Sequence, residues 1–420
     1  MNFRLLAALV LLCLGLGVSA KRPERAPQMD LHLNDAVTNS LSEIPELRPM
    51  DQKIDSFMRF WEIKGASLAI MRNDSLVYAK GYGWADRERG VRMQPGNLLR
   101  MASVSKLVTA VGIMVLQERG RLWLGQPVFG PFGILNEYDA YITDENYYLI
   151  TVENLLRHEG GFTTNGGDPM FSTLSIMRQY GFSRPPTQEQ LVEKLVSRPL
   201  DFVPGEDRSY SNFGYLLLSM IIEKVSGEPY EQFIQENVLR KAGCQDFHIA
   251  RVYYEQRWPG EVKYYGHKEE KPVSEYTGSG RQVVRSYGGN DLPTLSGAGA
   301  WVGSTIELAR LVGAIDQKFN VPDILSPFSI WQMTQQVGDD GYPLGWMDAR
   351  QTGEWTRTGS LSGTSALIKY YPDGECWIFI TNTSTWKGSR FTKDTAGLFE
   401  YLRRDFSAFL PERDLFALSY

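Results

Sequence analysis

Four histidines and three cysteines in 420 residues leave this chain little with which to hold a metal or build a disulfide framework. His32, His158, His248 and His267 are scattered, with no i,i+4 pair, and no Cys-x-x-Cys occurs. The spacings of zinc sites are therefore missing, and no metal or cofactor is expected. Cys13 falls in the apolar N-terminal run, so two cysteines remain, Cys244 in a helix-end loop and Cys376 on a strand. They could pair in an oxidising compartment, but two cysteines are not a framework, and their settings give no argument for proximity. Charge of one sign is also lacking: 44 Lys and Arg stand against 49 Asp and Glu, a net −5. That removes the electrostatic case for nucleic acid or an anionic membrane, and no block of like charge reads as an interaction tail. There is no Gly-x-Ser-x-Gly elbow, and no histidine has a serine partner in a recognisable setting. A Ser-His-Asp hydrolase is disfavoured on both counts.

Long apolar runs are absent after the first twenty residues. Those twenty, "MNFRLLAALVLLCLGLGVSA", carry one arginine, an apolar centre and small residues ending Val18-Ser19-Ala20. The pattern is that of a secretory signal peptide cleaved after Ala20. The apolar stretch is short for a bilayer span, and Cys13 lacks the preceding small residues of a lipoprotein signal. The expected location is therefore periplasmic or secreted, with no membrane span after cleavage.

What is present is ample core material, 43% apolar with 22% charged, in a chain long enough for two domains or one with an insertion. Residues 21–50 are proline-rich and polar and read as a leader. A helix is predicted over Gln52–Glu62. Two β-rich runs, Ala66–Arg72 and Leu76–Trp84, flank Asn73-Asp74, a hairpin signal. From Ser103 an apolar-periodic stretch runs to Arg119, with Gly120 at the expected C-terminal cap. Thr151 can cap "VENLLRH", which Gly160-Gly161 would stop. Helices are predicted over Phe213–Ser226 and over "EPYEQFIQENVLRKAG". Loops and small strands are expected from Arg251 to about Gly297. "EWTRTGSL", "TSALIKYYPDG" and "ECWIFITNTS" read as strands, and a final helix runs from Phe391 to Leu410. Strands at both ends with helices between predict an α+β fold. Its antiparallel sheet would be built from N- and C-terminal strands flanked by helices, residues 51–118 and 298–420, with an inserted mainly helical domain at 119–297.

Two Ser-x-x-Lys matches occur, Ser103 to Lys106 and Ser384 to Lys387. At a helix start, orphan N–H groups favour negative charge, and residues i and i+3 share a face. Ser103 Oγ can thus meet Lys106 Nζ, and a lysine in a dry site can lose its proton and serve a serine nucleophile as base. Ser384 is followed by polar residues and begins no apolar helix. In "PGEDRSYSNFGYLLLS", Tyr210-Ser211-Asn212 precedes another apolar helix. A phenol beside lysines can relay protons, and the Asn212 amide can orient lysine and substrate; taken singly, the two residues read as a core tyrosine and a helix cap. Arg357-Thr358-Gly359-Ser360 lies on a predicted strand, where glycine lets a substrate backbone approach. The amides of Ser103 and Ser360 could form an oxyanion hole.

The order Ser103-Val104-Ser105-Lys106, Tyr210-Ser211-Asn212, Arg357-Thr358-Gly359 resembles the penicillin-recognising serine hydrolases. Within them it is most similar to the class C β-lactamase, DD-peptidase and family VIII esterase branch. Flanking stretches such as "GASLAIMRNDSLVYAKGYGWAD", "ITVENLLRHEGGF" and "GAGAWVGSTIELARLV" resemble that family in the same order, from about Pro49 to Trp386. The resemblance implies a β-lactamase/transpeptidase-like fold and an acyl-enzyme on Ser103. It implies that Lys106 and Tyr210 share the base and acid work. Asn212, Arg357, Thr358, Gly359 and Ser360 would bind substrate. One position departs: the family usually has lysine or histidine where this chain has Arg357. A guanidinium can bind a carboxylate but cannot pass a proton. His158, in "RHEGGF", is expected to be structural. The implied activity is hydrolysis of an ester, amide or peptide bond in a small molecule or short peptide. The alternative is a penicillin-binding, sensor-type protein that keeps the fold without efficient turnover. Oligomeric state is not legible.

Overall fold

A computed structural model describes residues 32–318, 320–338 and 341–419. The expected signal peptide, with Cys13, lies outside the described residues. The framework is a seven-stranded sheet: β1 (Gly65–Arg72), β2 (Ser75–Asp86), β3 (Val91–Arg92), β4 (Asp348–Ala349), β5 (Trp355–Leu361), β6 (Thr364–Tyr370) and β7 (Glu375–Thr381). Their spatial order is β3-β2-β1-β7-β6-β5-β4, and every neighbouring pair is antiparallel. The β1–β2 hairpin turns at Asn73 and Asp74, with φ of 47° and 65°, the left-handed pair that matches the twist of antiparallel strands. At the centre β1 lies beside β7, Ala66 opposite Thr381 and Arg72 opposite Glu375. The sheet is thus assembled from the two ends of the chain, as expected. All seven strands come from 51–118 and 298–420.

Five helices bear on the site: α1 (Arg48–Phe60), α2 (Ser105–Glu118), α3 (Asn212–Ser226), α4 (Thr305–Gly313) and α5 (Phe391–Phe406). Helices α1 and α5 cover one face of the sheet, Met50, Ile54, Phe399 and Leu402 joining Leu68, Ile70, Trp377 and Phe379 in one core. The opposite face, with Ala69, Ala366 and Ile378, packs against α2, α3 and α4 in a second, larger core. Because both faces are covered, β1 and β7 read as near-continuous apolar runs instead of alternating. Helix α2 is buried from Ser105 to Leu116, which explains its all-round apolar character.

Several boundaries differ from expectation. Helix α1 starts at Arg48, ahead of Gln52, because Pro49 sits in the first turn, where a missing N–H leaves no helical bond unmade. Within the expected leader, Leu33, Val37 and Leu47 are buried, and the Asn39 side chain bonds Gly81 and Met93. Thr151 caps its helix with a reciprocal bond to Asn154. That helix is stopped by His158 in the left-handed region (φ 61°), not by the glycines that follow. Helix α5 ends at Phe406, and a tighter turn, Ser407–Phe409, carries the chain on. Cys244 and Cys376 are free and buried. Among the described residues no helix is long and apolar enough to cross a membrane.

Candidate active site

Ser103 sits in a one-turn 3-10 segment, Ala102–Val104, that leads into α2. Its predecessor Ala102 has φ 48°, a conformation that costs an L-residue roughly 1–2 kcal/mol and persists only where the surroundings fix it. Several contacts do so here. Met101 N–H donates to Trp301 O at 2.9 Å, and Val104 N–H to Met101 O at 3.2 Å. The buried guanidinium of Arg357 forks onto the Ser103 carbonyl, Nε at 2.9 Å and Nη2 at 2.6 Å. Upstream, Arg100 is 1% exposed and donates to the carbonyls of Ser286 and Arg251, tying the 251–287 loops to the turn.

Strand β5 approaches the same turn closely. A Cβ on Gly359 would stand 2.3 Å from Met101 O and 3.0 Å from Ser103 N, so no side chain fits there. Strand β6 flanks all of β5, whereas β4 pairs only with Trp355 and Thr356. From Arg357 to Leu361 the other edge of β5 is free of strand pairing, and Ser360 lies on it one residue beyond the glycine. Thr358 and Ser360 are half-buried; Arg357 and Gly359 are buried towards the serine.

Lys106, the second residue of α2, is fully buried. Its Nζ lies 3.2 Å from Ser103 Oγ, 2.6 Å from Asn212 Oδ1 and 2.5 Å from Ala298 O. Burial above all, helped by the Arg357 charge, pulls the ammonium down to about 8, against the opposing pull of Tyr210 and Asp168. The Tyr210 ring lies 4.8 Å from Nζ, and its hydroxyl is 3.5 Å from Arg357 Nη2. Burial would raise that phenol, but the Lys106 and Arg357 charges and hydrogen bonds from Lys106 and Ser103 prevail and hold it below its usual value. Asn212 is not the helix cap: Ser211 is, accepting from Gly214 N–H at 3.1 Å, which frees the Asn212 amide for Lys106.

Three partners are given no place in the site by the sequence. The Ala298 carbonyl reaches Lys106 through the small-residue run Ser296–Ala300, where a Cβ on Gly297 would meet Tyr215 O at 2.5 Å. Asp168 Oδ2 accepts from Asn212 Nδ2 at 2.6 Å. His158 Nδ1 accepts from the Ser211 N–H at 3.1 Å, and its ring packs against that of Tyr210, centroids 4.4 Å apart and planes tilted by 35°. Burial, then the Lys106 and Arg357 charges, drives the imidazole well below its ordinary value. It is a neutral prop for the cap and the phenol, in keeping with its structural reading.

A three-hydrogen inventory explains what Lys106 can do. Asn212 Oδ1 and Ala298 O only accept, so each takes one N–H. The third direction of Nζ faces Ser103 Oγ and Tyr210. In the neutral amine that direction is a lone pair, aimed at the proton of Ser103. Comparison with known proteins gives the family. The family model described as Beta-lactamase matches residues 50–401. The chain belongs to the Beta-lactamase family. It is a serine hydrolase with an α+β fold. Its relatives include PbpX of Bacillus subtilis, 26% identical over 331 residues, 79% of this chain and 73% of that one. Another is the esterase EstB of Burkholderia gladioli, 29% identical over 200 residues. That match spans 47% of this chain and half of EstB. Among solved structures, the D-amino acid amidase of Ochrobactrum anthropi SV3 superposes with a TM-score of 0.65 at 18% identity, over 86% of this chain and 99% of that one. At that identity the likeness concerns the fold. For this family, the departure at Arg357 takes a definite form: its donors go to the Ser103 carbonyl, and Nη1 is buried with no hydrogen-bond partner among the described residues.

Proposed function

We propose that Ser103 is the nucleophile of an acyl-transfer hydrolase and that neutral Lys106 is its base, with Tyr210 as proton carrier. The observation that carries this reading is the 3.2 Å contact between Ser103 Oγ and Lys106 Nζ in a site dry enough to bring the lysine near neutrality. Attack by Oγ on the substrate carbonyl passes the serine proton to Lys106. The amides of Ser103 and Ser360 receive the oxyanion. Collapse breaks the bond to the leaving group, which takes the proton through Tyr210, and leaves an ester on Ser103. Water then adds to that ester by the same steps, releasing the acid and restoring the serine. Thr358 and Ser360 on the free edge of β5 bind the acyl donor. Arg357 serves the nucleophile turn from behind. The substrate class is an ester or amide of a small molecule or short peptide, with simple esters supported by the kinship with EstB. Residues 1–20 are proposed as an export signal on their charge and hydropathy pattern, and a mature chain that begins elsewhere than Lys21 would contradict that cleavage point.

Intact-mass spectrometry after exposure to a fluorophosphonate and to a penicillin tests the assignment. An adduct on the wild type that is lost in Ser103→Ala is expected. Adducts on both proteins, or on neither, remove Ser103 as nucleophile. A penicillin adduct that persists without turnover of a p-nitrophenyl ester or a D-Ala-D-Ala peptide would favour the sensor-type alternative.

A further inference from the structure

An amide side chain has one accepting and one donating end, and the proposed base needs the accepting end of Asn212. Something must hold the amide that way round, because Lys106 alone could not: a neutral amine can accept as well as donate. The donating end, Nδ2, points at Asp168 Oδ2, 2.6 Å away. A carboxylate only accepts, so this contact permits one orientation. We propose that Asp168 is a positioning residue that fixes the Asn212 amide, and through it the free valence of Lys106 that faces Ser103. The proposal rests on the reading of Ser103 and Lys106 as the reacting pair.

Asp168 is built for this beyond its local duty. It caps the turn Pro169–Phe171 by accepting from Met170 N–H through Oδ1 at 2.9 Å. The Ser172 hydroxyl donates to the Asp168 backbone carbonyl at 2.7 Å, closing the same turn. A cap needs one oxygen; the second is turned across the cleft to Asn212. The two-acceptor demand decides which replacements can work. Asparagine at this position offers one oxygen for two N–H groups, so it satisfies either the cap or Asn212 and sets N–H against N–H at the other. Serine can cap but is too short to reach Asn212. The carboxylate also adds a negative charge that favours the protonated form of Lys106, which gives the role a signature in pH.

The test is the pH dependence of p-nitrophenyl ester hydrolysis by full-length wild type, Asp168→Asn, Asp168→Ser, Asn212→Ala and the Asp168→Asn/Asn212→Ala double variant. Misorientation of a reacting group costs about 10- to 100-fold, so a loss of that order in kcat with KM little changed is expected for both Asp168 variants. The acid limb of kcat/KM should move to lower pH, because removing the carboxylate lowers Lys106. The double variant should be no slower than Asn212→Ala alone, since the aspartate acts through the asparagine. Losses that add, or an Asp168→Asn enzyme with wild-type kcat and an unmoved limb, overturn the proposal. If Asp168→Asn fails to fold, Asp168→Ser answers the same question, since it keeps the cap. Ser103→Ala run alongside separates the two failures: retained turnover there removes the nucleophile, whereas additive losses with an inactive Ser103→Ala remove only Asp168.

Discussion

Arg357 stands where the resemblance leads one to expect lysine or histidine, and its geometry makes a sharp prediction. The guanidinium does two things at once. It donates twice to the Ser103 carbonyl, at 2.9 and 2.6 Å, and it sets a fixed positive charge 3.5 Å from the Tyr210 hydroxyl. Methionine keeps much of the volume and removes both. The lost charge-assisted hydrogen bonds are worth roughly 1.5–3 kcal/mol. A unit charge about 4 Å from an ionising group contributes on the order of 4 kcal/mol at an effective dielectric of 20. Counting only the larger effect, Arg357→Met should lower kcat/KM at pH 7 by about 10³-fold. The sign of the pH effect follows from Lys106. Arg357 helps to hold that lysine at about 8, so the wild-type rate should climb with pH through about 8 as the amine becomes neutral. Removing the guanidinium raises Lys106 and Tyr210 together, so the limb moves up and part of the lost activity returns in alkaline buffer. Arg357→Lys keeps the charge and loses the fork, so it should retain the wild-type limb with a smaller loss, about tenfold. The assay is the kcat/KM profile from pH 6 to 10 on a p-nitrophenyl ester, with fluorophosphonate labelling rates as a control free of deacylation. Equal losses in the two variants, with both limbs where the wild type has its own, would refute the electrostatic part and leave only the clamp.

Two further outcomes can be checked on the same preparations. Gly359→Ala would place a Cβ 2.3 Å from Met101 O, pushing backbone against backbone. Fluorophosphonate labelling of Ser103 should slow about 100-fold if the turn shifts by about 1 Å, and an unchanged labelling rate would show that β5 does not set the nucleophile. Away from the site, burial and the neighbouring Asp74 raise the Asp316 carboxyl to about 7. A raised acid stabilises the fold at low pH and loses that contribution as pH rises through its folded value, so the wild type should lose more melting temperature than Asp316→Asn between pH 5 and 8. The comparison must be between the two proteins, because the lowered His158 tilts both in the opposite sense below about 6.5; parallel curves would show that Asp316 is not the titrating group.

The candidate site side chains are legible in the sequence because each is a polar group set against an apolar helix or strand. Ser103 and Lys106 open an apolar helix, Tyr210 and Asn212 open another, and the glycine of Arg357-Thr358-Gly359 interrupts a strand. The sheet is legible for a similar reason, since its apolar runs cluster at the two ends of the chain. What stays hidden is what satisfies those groups. The carbonyl that takes one proton of Lys106 belongs to Ala298, and every residue owns a carbonyl. Asp168, before a proline, reads only as a turn, because its second oxygen finds Asn212 across 44 positions of chain. His158 and Ala102 take left-handed backbone that favours glycine, so the glycine pattern puts the helix stop two residues late and leaves the strain beside Ser103 unmarked. The resemblance offers Arg357 to a substrate carboxylate and is silent on the fork of its Nε and Nη2 to the Ser103 carbonyl, a group with no signature in any motif.

That division has a physical cause with consequences for the site. Lys106 is held on three sides by groups from three separate stretches: the 3-10 turn ahead of its own helix through Ser103, α3 through Asn212, and the Ala298 carbonyl just before the strand Trp301–Gly303. From β5, Arg357 and Gly359 press on the turn that carries Ser103. None of these stretches can place the lysine alone, and each is fixed by a core that the others complete. A buried cation with two obligate acceptors is tolerable because burial, helped by the Arg357 charge, draws its pKa down to about 8. The same burial that makes the Lys106 charge costly suits it to the base's role proposed above. Any change that eases its burial, by removing Arg357 or letting water reach Ala298, should return the proton to it and slow the serine.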